Sequence, residues 1–266
     1  MNSIEKDAGF VSRSDGAAPG VELWKRVLDI TCIILALPVL VPLGFCLGLL
    51  IKLVSPGPVL FRAHRVGLHG NLFYCLKFRT MKVNADTSGH QQYTAQLIQN
   101  PNAPMIKLDN KDSRIIPCGR LIRATGLDEL PQLINVLRGE MSLVGPRPSL
   151  PYEHKEFLPW HKKRCDTLPG LTGLWQVSGK NNTTFERMME LDIWYTRNKT
   201  AALDLRIMLK TPYAIIKQVI EGRRRAKEAA VAQASPVGTA PQTHQKPAPA
   251  VRALKVASQT LNSLLH

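Results

Sequence analysis

Asp128 and Glu129 stand side by side at the head of the stretch GLDELPQLINVLRGEMSLVGPRP, which runs from Gly126 to Pro148. Vicinal carboxylates can cap a helix, hold a hard cation through oxygen, or attack phosphorus to form an acyl phosphate. Two adjacent acids also permit a division of labour, one as nucleophile and one as metal ligand or base. Arg147 sits between Pro146 and Pro148, and both prolines restrict the backbone around it. A guanidinium on a stiff loop is a good bidentate receptor for phosphate. A structural ion pair with a nearby acid is the plain alternative. Arg123 precedes the acids by five residues, and Lys77 and Arg79 lie further upstream. Each of these three, taken alone, reads as a solvated surface charge.

The elements that must position these groups follow from spacing. Leu127, Leu130, Ile134 and Leu137 fall at i, i+3, i+7 and i+10, one stripe of a helix. Pro131 fits only the first turn, where its missing N–H is not needed. A helix is therefore expected to start near Gly126 to Asp128. The acids then lie off the apolar stripe, at the helix N-terminus. Acids there often do no more than cap, yet the same place is a natural phosphate site.

Composition narrows the partner. The chain has 266 residues, a formal charge of +15 and a pI near 9.9. Such a balance favours nucleic acid, phospholipid head groups or phosphorylated metabolites. No nucleic-acid motif is present, and the basic residues are dispersed rather than gathered with aromatics in one patch. The five cysteines show no CxxC spacing. That excludes the usual zinc and disulfide frameworks and suits a reduced, cytosol-facing protein.

One segment separates the anionic partners. Ile30 to Ile51 holds 22 residues without a charge, long enough for a membrane helix. Pro38 and Pro42 sit near its middle and favour a kink. Lys25 and Arg26 precede it, and Lys52, Arg62 and Arg65 follow. The positive-inside rule draws both ends toward the cytoplasm. A re-entrant hairpin in one leaflet satisfies both observations better than a straight span does. Asp29, at the entrance, lies within helical pairing reach of Lys25 and Arg26.

The expected fold class is α+β, mainly helical. Residues 1–20 are polar and aperiodic and read as disordered. Residues 21–53 form the proline-broken membrane helix. Residues 54–222 are expected to form a cytosolic domain. Within it, 59–81 reads as a small β-hairpin turning at Leu68–Asn71, and 83–113 reads as irregular, with a short helix near Gln91–Gln99. Helices are expected at Ile115–Ala124, Leu127–Leu137, Tyr152–Cys165, Thr184–Asn198 and Leu203–Ile220. Residues 168–182 read as a glycine-rich loop. The ordered part is expected to end at Arg223–Arg225, leaving 223–266 as a flexible tail.

Six stretches together carry a resemblance. They are KRVLD (25–29) before the proline-broken segment, KFRTM (77–81), residues 112–148, PGLTGLWQVSG (169–179), LDIWY (191–195) and LDLRI (203–207). Their order and spacing resemble the bacterial sugar transferases, the small monotopic phosphoglycosyl transferases that start exopolysaccharide and other surface glycans. The resemblance covers about residues 22–220. It implies transfer of a sugar 1-phosphate from a UDP-sugar to undecaprenyl phosphate, with release of UMP. Asp128 would be the nucleophile and Glu129 a metal ligand or base, with Mg²⁺ bridging the pair and the diphosphate. Arg147 and Arg123 would hold phosphate oxygens, helped by Lys77 and Arg79. Gln176, Asp192 and Tyr195 match positions near the site, although Trp175 and Tyr195 fit core aromatics equally well. The catalytic domain would face the cytoplasm from the bacterial inner membrane, in contact with its lipids. A homodimer through the helices would rest on no motif.

Two departures from the family pattern stand out. Val41 replaces the serine of a Ser-Pro break, which removes a side-chain hydrogen bond at the kink; Pro38 compensates. Leu168 stands where many members carry an arginine before Pro-Gly. Two rivals remain: a membrane-tethered basic binding or scaffold protein without catalysis, and a hydrolase that uses the same aspartyl chemistry with water as acceptor. DNA binding that survived loss of Asp128 would mark the first. Lipid-independent release of sugar phosphate would mark the second.

Overall fold

The computed structural model describes residues 21–83, 96–98, 100, 112–179 and 183–234. The expectations for 1–20, for most of 84–111 and for the tail beyond 234 lie outside these residues. The fold is mostly helical, with little strand and one long apolar N-terminal helix.

That helix, α1, spans Leu23–Val54 and contains Pro38 and Pro42 without ending at either. Among the described residues it is the one helix long and apolar enough to cross a membrane, by length and composition. Its buried residues lie toward its two ends: Lys25, Asp29 and Ile33, then Leu47 and Ile51. Ile33 packs with Cys75, Val136 and Met141. Leu47 and Ile51 pack with Phe78, Ile116 and Ile122. Between these footholds Leu35, Val39, Val41 and Phe45 are exposed.

The expected hairpin is present. Strands β1 (Leu60–Val66) and β2 (Leu72–Phe78) pair antiparallel, with Phe61 opposite Lys77, across a 3-10 turn at Leu68–Gly70. Helix α2 follows at Gly119–Thr125, later than the expected start at Ile115, since Pro117 and the left-handed Cys118 precede it. Gly126 closes α2 at φ 73°, where glycine escapes the steric cost of the left-handed region. A 3-10 turn, Leu127–Glu129, carries both acids, and α3 (Gln132–Arg138) starts after Pro131.

The apolar stripe expected through this region needs correction. Leu127 and Leu130 do pack inward, but Ile134 and Leu137 are exposed. The break at Pro131 resets the helical phase. The face of α3 that meets the body is Gln132, Asn135 and Val136. Asn135, fully buried, accepts from Leu76 N at 3.0 Å and donates to Tyr74 O at 2.7 Å. A polar residue there stitches α3 to β2, and apolar periodicity is blind to it.

Strands β3 (Ser142–Val144) and β4 (Gly170–Thr172) pair in parallel. Their glycines allow backbones to touch: a Cβ on Gly145 would lie 2.4 Å from Leu168 O, and one on Gly170 would lie 2.1 Å from Gly145 N. The expected polar helix over 152–165 is instead α4 (Pro151–Lys155), α5 (Pro159–Lys162) and a 3-10 turn at Lys163–Asp166. Pro159 lacks the N–H that continuation would require. The glycine-rich stretch holds β4 and the short α6 (Leu174–Val177). Helix α7 is Phe185–Asn198, capped by Thr184, whose hydroxyl accepts from Arg187 N at 3.2 Å. The last helix, α8, is Ala201–Ala234 and runs past Arg223–Arg225, where the ordered part was expected to end.

The largest core cluster includes Val144, Trp175, Phe185, Met189, Tyr195 and Ile207. The KRVLD stretch docks α1 onto this body. Arg26 donates to Val136 O at 2.6 Å and Leu137 O at 3.1 Å, serving the carbonyl end of α3. Asp29 does not hydrogen-bond to Lys25 or Arg26 as helical spacing suggested. It accepts from Ser142 Oγ at 3.1 Å and from Leu143 N at 3.0 Å, pinning β3 to α1.

Candidate active site

A cleft of about 1280 Å³ opens between the hairpin, the acidic turn, the Arg147 loop and α8. Asp128, Glu129, Lys77, Arg123, Arg147 and Gln176 all line it. Six of the residues singled out from sequence therefore converge on one space.

Each is delivered by a local device. The turn after Gly126 presents Asp128, 8% exposed, and the half-exposed Glu129. Leu127 and Leu130 anchor that turn on the cluster formed by the inner end of α1, β2 and α2. Strand β2 brings Lys77 across, and Lys77 Nζ meets Glu129 Oε1 at 2.7 Å. Such a half-exposed pair contributes no more than about 1 kcal/mol to stability. Its consequence is orientation, because the lysine holds Glu129 beside Asp128. Arg123, on the last turn of α2, reaches toward Thr80 Oγ1 at 3.5 Å. Nearby, Arg114 grips Asp112 at 2.6 Å and, with its backbone N–H, holds that carboxyl down at about 2.

The Arg147 loop is held from beneath. Arg164, 4% exposed, donates to Arg147 O at 2.9 Å and to Ser149 Oγ at 3.0 Å, and pairs with Asp192. With its backbone fixed in this way, Arg147 extends an exposed guanidinium into the cleft. Arg164 escaped sequence reading, since a lone arginine in a polar helical stretch gives no sign of burial. Burial raises the Asp192 carboxyl to about 6, and the pull of Arg164 in the opposite direction does not cancel it.

Three predicted site residues need correction. Asp192 is 1% exposed and lies beneath the loop rather than in the cleft. Tyr195 is likewise 1% exposed. Its hydroxyl accepts from Lys25 Nζ at 2.8 Å and donates to Asp204 at 2.7 Å, and burial, reinforced by Asp204, raises its pKa so that it stays protonated. Trp175 is a core aromatic as well, at 2% exposure. Arg79 touches the cleft, but its guanidinium is buried and donates to Ser55 O at 2.7 Å and Pro56 O at 2.6 Å. It clamps the turn that follows α1. Pro38 and Pro42 belong to α1 and do not line the cleft.

Leu168, the position of the missing arginine, is buried at 3% beside Gly145. Among the described residues no group of three or more His, Cys, Asp or Glu could form a metal cage. The acid pair alone suits a cation that takes its other oxygens from water and substrate phosphates, which is the habit of Mg²⁺.

Paired carboxylates faced by cations in one open cleft, on a mostly helical body with a long apolar helix, define a class of site suited to phosphorylated substrates. A family model described as bacterial sugar transferase matches residues 21–218. The chain is 39% identical over 210 residues to the UDP-glucose:undecaprenyl-phosphate glucose-1-phosphate transferase of Caulobacter vibrioides, covering 75% of this chain and 73% of that one. It is 36% identical over 224 residues to the exopolysaccharide production protein ExoY of Rhizobium meliloti, covering 81% and 97%. It is 40% identical over 200 residues to the undecaprenyl-phosphate galactose phosphotransferase of Salmonella typhimurium, covering 73% of this chain and 40% of that relative. The chain thus spans about two fifths of the length of the Salmonella relative, and the same holds for galactosyl transferase CpsE of Streptococcus agalactiae. The chain belongs to the bacterial sugar transferase family.

Proposed function

We propose that this chain transfers a sugar 1-phosphate from a UDP-sugar to undecaprenyl phosphate and releases UMP, an opening step of exopolysaccharide or other surface-glycan synthesis. The observation that carries the reading is the convergence of Asp128 and Glu129 with Lys77, Arg123 and Arg147 on one cleft. Relatives named for this transfer, in Caulobacter and Salmonella, support it.

Asp128 is the nucleophile. Its carboxylate attacks the sugar-bearing phosphorus, the bridging P–O bond breaks, and UMP leaves with the bond's electrons. An oxygen of the lipid phosphate then attacks the same phosphorus and displaces the aspartate, leaving the sugar on a lipid diphosphate. Glu129, oriented by Lys77, lies beside the reacting group. Arg123 and Arg147 hold phosphate oxygens as charge moves to UMP. Mg²⁺, held by Asp128 and Glu129, supplies neutralisation of the diphosphate when bound.

The anchor reading rests on α1. Residues near both of its ends pack on the same polar body, while its middle is exposed and apolar. A polar body stays on one side of a bilayer. That favours a helix that enters and leaves one leaflet, and the basic residues flanking both of its ends in the sequence favour the cytoplasmic side of the inner membrane for the cleft.

The test is UMP release by the protein in nanodiscs with Mg²⁺, undecaprenyl phosphate and a panel of UDP-sugars, glucose and galactose first. Lipid-dependent release from one sugar, lost in Asp128→Asn, is the expected result. Release unchanged in that variant would remove Asp128 as nucleophile.

A further inference from the structure

Arg65, on β1, is in sequence one of the positive charges that flank the apolar helix. The structure brings it to the dyad side of the cleft. Its Nη1 donates to Pro148 O at 3.3 Å, so it touches the loop that carries Arg147. Its Nε is shielded from solvent and has no acceptor among the described residues. Arg65, Lys77, Glu129, Arg147 and Gln176 surround a recess of about 30 Å³, and all five also line the main cleft. Gln176 Oε1 is buried there without a donor among the described residues.

Two guanidiniums brought this close repel each other. Burial first, and the neighbouring Arg147 second, lower the Arg65 pKa from its ordinary value. Lys77 adds a third cation, which pairs with Glu129, while Glu153 offsets part of the charge on Arg65. Such an arrangement is costly when empty and favourable once an anion enters, because the anion satisfies both guanidiniums at once.

We propose that Arg65 and Arg147 together clamp one phosphoryl group beside Glu129. The recess has room for about one oxygen or water, so the phosphorus sits at its mouth, in the main cleft. This deepens the transferase reading and rests on it for the identity of the phosphate. The group belongs either to the nucleotide diphosphate or to the lipid acceptor.

The test uses the full chain in nanodiscs of neutral lipid and inorganic phosphate as probe, at fixed ionic strength, followed by the shift in unfolding temperature. Wild type, Arg65→Gln, Arg65→Lys and Asp128→Asn are compared, with Arg187→Gln as a control at an exposed pair that does not line the cleft. Saturable binding in wild type, weakened about tenfold or more in Arg65→Gln, less in Arg65→Lys, and kept in Asp128→Asn and Arg187→Gln, supports the clamp. Arg65→Lys keeps the charge and serves if Arg65→Gln does not fold. Equal binding by wild type and a folded Arg65 variant overturns it, as does the absence of saturable binding in wild type. If no UDP-sugar yields UMP while phosphate binding still depends on Arg65, the transferase reading fails and the clamp stands. With an active enzyme, a raised KM for the UDP-sugar assigns the clamp to the donor, and a raised KM for undecaprenyl phosphate assigns it to the acceptor. Neither change overturns it.

Discussion

The buried guanidinium of Arg164 is shared between the carboxylate of Asp192 and the main-chain carbonyl of Arg147. A residue outside the cleft thereby fixes the backbone of one that points into it. Arg164 is a positioning residue, and its removal should disturb Arg147 without touching substrate.

Arg164→Lys should lower kcat/KM for the UDP-sugar by about ten- to a hundredfold, the range of a misplaced substrate contact. A lysine cannot span Asp192, Ser149 and the carbonyl with one planar fork. Steady-state UMP kinetics check this, with Arg147→Lys as comparison. Additive losses in the double variant would contradict the coupling, since residues acting as one unit are non-additive.

The raised Asp192 carboxyl, at about 6 against an unfolded value near 3.8, has a pH signature. Between those values the folded state keeps a proton that the unfolded state has released. Asp192 therefore contributes its full stability below about pH 4 and loses it as pH rises through about 6. Relative to Asp192→Asn, wild type should lose no more than about 3 kcal/mol across that window. Denaturant unfolding of both proteins in detergent from pH 4 to 7 measures it. A flat difference would show that the pairing with Arg164 outweighs burial.

Lys25 and Asp204 form an ion pair in which each side chain is 1% exposed, and Tyr195 bonds to both. Lys25→Met alone should cost about 3–5 kcal/mol, because Asp204 is left charged and buried. Adding Asp204→Leu should recover most of that. A double variant no better than Lys25→Met would mean that the cost is lost packing of α1, not a stranded charge.

Asn135 bridges β2 and α3 through Leu76 N and Tyr74 O. Asn135→Ala strands both backbone groups, and about 2–4 kcal/mol of stability should be lost. Lys77 rides on β2, so the same change should weaken its pairing with Glu129. A variant with unchanged unfolding temperature would argue that water replaces the amide.

The residues that gather in the cleft were legible because their signals are local. Acids beside each other, an arginine between prolines and a long uncharged run are properties of adjacent residues. The hairpin and the capped α7 were equally local. The apolar stripe failed beyond Pro131, because a single helical phase was carried through a break that resets it.

Which polar residues serve the cleft and which serve the scaffold was not legible. Asp192, Tyr195 and Arg79 have the chemistry of ligand-binding groups, yet they meet Arg164, Lys25 with Asp204, and two carbonyls after α1. Arg65 stood only as a positive charge flanking the apolar helix and Arg164 gave no signal, until strand pairing and burial gave them neighbours. The sequence determined the family, the pair of adjacent acids and the apolar helix, since each depends on residue type and short spacing. Only the tertiary structure decided which charges face solvent and which face each other, because partners far apart in the chain, such as Lys25 and Asp204, meet only after folding and desolvation have brought them together.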